Sequence, residues 1–122
     1  MAQHNDLGRK GEDIACEFLR KAGFLILDRN WFYQKAELDI VAFKNNKLII
    51  VEVKTRSLNY HADTDDLISD RKLKLIYAAT DRYMEVKNII WEVQYDLIVI
   101  IFHGETWTIE HVEDAFYPFM NT

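Results

Sequence analysis

The apolar positions of this chain change their period at clear turn signals. Leu7, Gly11, Ile14, Ala15, Phe18 and Ala22 recur at helical spacing and stop at Gly23. A helix is therefore expected from Asn5 or Asp6, both good N-caps, to about Ala22. FLILDRN then reads as a strand and WFYQKA as a connection. ELDIVAFK and KLIIVEVK read as two strands joined at Asn45-Asn46, where an Asn pair tolerates positive φ and favours a tight hairpin. Residues 55–68 show no clean period and read as a mobile or functional loop. Ser69 caps a second helix to about Val86, with Leu73, Ile76, Tyr77, Thr80, Tyr83 and Met84 on one side. The long run WEVQYDLIVIIF ends in the continuous apolar pattern of a strand covered on both faces, and His103-Gly104 turns it into TWTIEHVE.

The order α-β-β-β-α-β-β predicts an α/β fold with a mixed sheet flanked by helices. Its parts are an antiparallel meander, a helical crossover, and a fourth strand returning parallel to the third. No repeat, linker or biased tract divides the 122 residues, so one domain is expected over 1–122. Hydrophobic residues at 49% and charged residues at 29%, with four glycines and one proline, exclude disordered and low-complexity classes. The single Cys16 cannot form an internal disulfide, and neither a secretory leader nor an apolar run of about 18 residues is evident. A cytoplasmic protein without a membrane span is the expectation. The net charge of -5 argues against a protein that coats nucleic acid by bulk positive charge. Residues 1–60, however, hold ten Lys or Arg against eight Asp or Glu, whereas residues 61–122 hold five against twelve. A polyanion should meet the first half.

The hairpin carries the chemistry. With Asn45 and Asn46 as its loop, Lys44 faces Lys47, Ala42 faces Ile49, Asp39 faces Glu52 and Glu37 faces Lys54. Strand alternation then projects Glu37, Asp39, Glu52 and Lys54 from one face. Opposed like charges destabilise a pair of strands, and a divalent cation would compensate. Mg²⁺ or Mn²⁺ suits hard carboxylate oxygens that also meet a substrate phosphate. Lys54, two residues from Glu52, would then orient or deprotonate an attacking water or neutralise phosphate charge. The competing reading is a surface salt-bridge ladder in which Lys54 satisfies the acids. Gly8 and Gly11 in the first helix each cost about 1 kcal/mol against alanine, which suggests a close approach there, and Glu12 flanks the apolar stripe beside them.

At these residues the chain resembles a known family. GRKGEDIACEFLRKAGF, ELDIVAF, LIIVEVKTR, YDLIVI and IEHVEDAFYP resemble the YraN-like family of small bacterial proteins across almost the whole length. That family is similar to the restriction-endonuclease-like, PD-(D/E)xK nucleases and to archaeal Holliday junction resolvases. The resemblance implies a restriction-endonuclease-like fold. It also implies a helix-borne acid at Glu12, metal-binding acids at Asp39 and Glu52, a metal-facing carbonyl at Val53 and the motif lysine at Lys54. The chain departs from the family pattern at Ala36, where glycine is usual, and at Leu73 and Gln94, where polar and arginine residues are usual.

Arg9, Lys10, Arg56 and Lys72 are candidate phosphate contacts. Trp31, Phe32 and Tyr33 offer either a base-stacking platform or packing for a loop. Asp63, Asp65 and Asp66 lack the glycine and distal glutamate of a calcium loop, and His4, His61, His103 and His111 lack zinc-ligand spacing. The leading expectation is a Mg²⁺- or Mn²⁺-dependent endonuclease acting on DNA, at branched or damaged structures. The alternative is a nuclease-like fold that binds nucleic acid or protein without turnover. Symmetric cutting of two strands would require a homodimer.

Overall fold

A computed structural model describes residues 2–57 and 68–118. Two helices and five strands follow the expected order: α1 (Ala2–Lys21), β1 (Leu25–Tyr33), β2 (Ala36–Lys44), β3 (Lys47–Ser57), α2 (Asp70–Lys87), β4 (Glu92–His103) and β5 (Thr106–Phe116). The sheet runs β1-β2-β3-β4-β5, antiparallel everywhere except between β3 and β4. A hairpin needs no crossover, so only the parallel β3–β4 pair requires one, and α2 supplies it. Among the described residues no helix is long and apolar enough to cross a membrane.

Each helix covers one face of the sheet. Ala15, Cys16 and Leu19 of α1 pack with Ile40, Val51 and Ile98, while Ile76, Ala79 and Tyr83 of α2 pack with Leu38, Leu48 and Ile50. β3 is consequently buried on both faces through its first half, as its run of aliphatic residues requires. Ser69 caps α2, its hydroxyl accepting from the Lys72 backbone N–H at 3.1 Å, and Asn88 ends the helix in the left-handed region at φ 59°. Asn45 and Asn46 both take positive φ, 53° and 63°, as a tight hairpin turn demands.

Several boundaries differ from the sequence reading. Helix α1 starts at Ala2, so Asn5 and Asp6 lie inside it rather than capping it. Trp31–Tyr33 belong to β1, and the connection shrinks to Gln34-Lys35, with Gln34 at φ 55°. Thr55–Ser57 extend β3 instead of opening a loop; residues 58–67, with His61 and the three aspartates, lie outside the described residues.

The two singled-out glycines separate. A Cβ at Gly11 would overlap Thr55 Oγ1, whereas one at Gly8 meets open space. Gly11 is thus the point at which α1 lies directly on β3. Elsewhere in a helix, alanine would gain about 1 kcal/mol over glycine. Gly11→Ala is instead expected to destabilise by about 1–3 kcal/mol through overpacking, a loss seen as a lower Tm. Adding Thr55→Ala should restore most of it; no recovery would place the strain elsewhere.

Candidate active site

The ladder between β2 and β3 follows the expected register from Lys44↔Lys47 to Ile40↔Val51 and stops there. Asp39 is the first residue beyond it. Its carboxylate takes the place of a backbone partner, Oδ2 accepting from the Val53 N–H at 2.9 Å. Side-chain alternation also breaks at this point. Ala36 and Leu38 belong to the α2 side of the sheet, whereas Ile40 and Ala42, of the same parity, belong to the α1 side. The opposing strand breaks with it, since Asn30 of β1 adopts positive φ at 51°.

This break corrects the arrangement of four charges on one face. Glu37 is turned toward α1, where the Asn30 amide Nδ2 donates to Glu37 Oε2 at 2.6 Å and to Glu12 Oε1 and Oε2 at 3.0 and 3.2 Å. Glu52 is on the other side, toward α2, with Lys72 Nζ at 3.9 Å from its Oε1. Asp39 sits between the two groups. Oxygens of Glu12, Glu37 and Asp39 lie within 4.8 Å of one another, the spacing of a common cation. Sequence reasoning assigned no metal role to Glu37 and missed Asn30. The signal available for both was Asn30 itself, since asparagine inside a strand pattern often marks a left-handed break.

Burial sets the electrostatics. Glu52 is only 1% exposed and Asp39 8%. Neither Glu52 oxygen has a hydrogen-bond partner of good geometry among the described residues, although the Asp39 backbone is close enough to favour the anion weakly. Desolvation, and next the Asp39 charge, hold the Glu52 carboxyl well above its usual range. Burial likewise raises Asp39, against the Val53 amide and Lys72, which favour its ionised form. Glu12 is raised by its own burial and by the charges of Asp39 and Glu37, with the Asn30 hydrogen bond and Arg29, 3.7 Å away, opposing. The Lys54 ammonium moves down, first because it is half-buried and second because Lys72 is close. Unlike a surface ladder, the cluster does not pair its acids with Lys54: among the described residues Lys54 makes no ion pair within 4.0 Å.

An open cavity of about 280 Å³ is lined by Glu12, Asp39, Val53, Lys54, Arg56 and Lys72 together with Gly8, while Glu52 lies buried behind this wall. Arg56 and Lys72 therefore stand at the site with Lys54. Arg9 and Lys10 are exposed on α1 outside this lining, Lys10 lying over the Phe102 ring. Of the three aromatics, Trp31 packs edge-on against Tyr83 and Tyr33 is half-buried, leaving Phe32 65% exposed. The departures at 36, 73 and 94 lie away from the cavity. Ala36 is buried, Leu73 packs on the α2-side core, and Gln94 donates to Asp96. Asp96 in turn is held by His111 at 2.8 Å and by the Asp114 N–H, a buried tie between β4 and β5.

Fold and site together define a small α/β protein with a five-stranded mixed sheet and a buried carboxylate cluster at the point where two strands part. The model of the uncharacterised protein family UPF0102 matches residues 11–100. The UPF0102 protein of Flavobacterium psychrophilum is 45% identical over 119 residues, covering 98% of this chain and all of its own. The one from Flavobacterium johnsoniae is 43% identical over 98% of this chain and all of its own, and that of Phocaeicola vulgatus 42% over 97% and 98%. This chain belongs to UPF0102, the YraN-like family that its motifs resemble.

Proposed function

We propose that this protein is a metal-dependent nuclease that hydrolyses DNA phosphodiester bonds. The observation that carries the reading is Glu52: a buried carboxylate with two unpartnered oxygens, beside a second buried acid and two residues from a half-buried lysine. Leaving such a group unmatched costs about 1–3 kcal/mol or more, a cost that a bound cation would remove. The donors are hard oxygens, which fits Mg²⁺ or Mn²⁺. Asp39 would hold the ion together with Glu12 and Glu37, whose oxygens share its reach, and Glu52 and the Val53 carbonyl would complete the set from β3. When bound, it supplies Lewis acidity and neutralises phosphate charge.

The chain's own groups account for the rest. Lys54, whose ammonium burial makes easier to deprotonate, would as the neutral amine take a proton from the attacking water at Nζ. Arg56 and Lys72, lining the same cavity, would hold the phosphate oxygens.

The test is a cleavage assay with Mg²⁺ and with Mn²⁺ on linear, flapped and four-way DNA, with Glu52→Ala as the control for contamination. Metal-dependent cutting by the wild type alone is expected. Wild-type protein that binds these DNAs and cuts none would replace the nuclease with a non-catalytic binding module on the same fold.

A further inference from the structure

Lys72 is bound less firmly than its place at the site suggests. It stands in the first turn of α2, its side chain 43% exposed, and reaches down to a carboxylate that is almost fully buried. Its Nζ stops 3.9 Å from Glu52 Oε1. A charge-assisted hydrogen bond closes to about 2.7–2.9 Å. Both Glu52 oxygens accordingly remain without a hydrogen-bond partner. Lys54 lies next to Lys72 and repels it. Lys72 thus gives Glu52 charge compensation without a fixed bond, on a flexible stem whose other side opens into the cavity.

We propose that Lys72 is an internal counter-ion, which holds the place of a divalent cation at Glu52 and turns to substrate phosphate once that cation binds. The inference rests on the metal reading of the preceding section and adds a regulation to it. With a cation on Asp39 and Glu52, the attraction on the ammonium vanishes, and the new positive charge joins Lys54 in driving it outward. The direction open to it is the cavity, where Arg56 already lines the wall. Cation and polyanion would then bind with positive coupling: filling the acid cluster delivers a positive side chain to the phosphate. Reciprocally, a bound phosphate would draw Lys72 from Glu52 and raise the affinity for the cation.

The measurement is calorimetric titration of Mn²⁺ into wild type and Lys72→Met, with binding of a fluorescent single-stranded oligonucleotide measured in Ca²⁺ and in EDTA. Lys72→Met removes the competitor, so its Mn²⁺ affinity should rise about tenfold, equivalent to about 1.4 kcal/mol. Ca²⁺ should tighten oligonucleotide binding by wild type severalfold and that of the variant much less. Lys72→Arg keeps the charge and should titrate with Mn²⁺ within about twofold of wild type, and Lys72→Gln serves if the methionine variant misfolds. Unchanged or weaker Mn²⁺ affinity on loss of the charge would overturn the proposal, as would a wild type that takes up no Mn²⁺. A protein that shows the predicted shift yet cuts no DNA would keep the counter-ion and lose the nuclease.

Discussion

Glu52→Gln should make the metal-free protein more stable and cut the proposed nuclease activity by at least about a hundredfold. The first effect follows from burial. In the folded protein the Glu52 carboxyl holds its proton far more tightly than at the ordinary value of 4.5, because desolvation and then Asp39 disfavour the anion. A folded pKa above the unfolded one means that the native state binds more protons. The stability linked to this group is therefore present below about pH 4.5 and lost as pH rises through the raised value. At neutral pH wild type bears that cost, and glutamine, isosteric and uncharged, does not. A gain of about 1–3 kcal/mol is expected in EDTA at neutral pH, shrinking as the pH is lowered and wild-type Glu52 becomes protonated. For a domain of this size that corresponds to several degrees in Tm. Millimolar Mn²⁺ should raise the melting temperature of wild type and leave that of the variant little changed. A variant that melts no higher than wild type in EDTA would show that Glu52 carries no electrostatic burden.

Lys54→Met should lower cleavage by about a hundredfold or more while binding of DNA falls only slightly. Methionine keeps most of the stem and removes both the charge and the proton site. Burial and Lys72 hold the Lys54 ammonium below its ordinary 10.5, so the neutral amine is more accessible than on an exposed lysine. Losing one general base typically costs 10²–10⁴-fold. Lys54→Arg separates the two roles, since guanidinium keeps the charge but does not give up its proton. Activity that stays low with arginine supports proton transfer at Nζ; activity that recovers assigns Lys54 to charge stabilisation. Equal cutting by wild type and the methionine variant would put the chemistry elsewhere or in a contaminant.

The parts of this fold legible in the sequence are those fixed by local backbone chemistry. Asn45 and Asn46 set the hairpin register because both occupy positive φ, and Ser69 set the start of α2 through its hydroxyl. The aliphatic run in β4 announced a strand covered on both faces. What failed was extrapolation by period. Counting in twos from the turn placed Glu37 with Glu52, but the alternation slips between Leu38 and Ile40, where Asn30 and Asp39 break both strands, and Glu37 faces α1 instead. Nothing in a period reveals where it stops. The β1–β2 connection was read as longer than it is because its left-handed residue is Gln34, a residue type that seldom adopts that conformation. Glu12 was suspected from its glycine neighbours, yet its partner Asn30, 18 positions away, only the folded chain identifies.

The strictly sequential order of the sheet bears on how the chain is made. Because each strand pairs with its successor, α1 and the β1–β3 meander can assemble before α2 and the last two strands emerge from the ribosome. Glu12, Glu37, Asp39, Glu52 and Lys54 all belong to this early half, and Lys72 does not. At a synthesis rate of about 5–20 residues per second, the acids are completed on the order of a second or more before the lysine that compensates Glu52 exists. In that interval Glu52 has no α2 above it, so the half-made chain can keep this carboxylate hydrated. The burial of Glu52 is completed last, when the crossover helix folds down and brings its own positive charge with it.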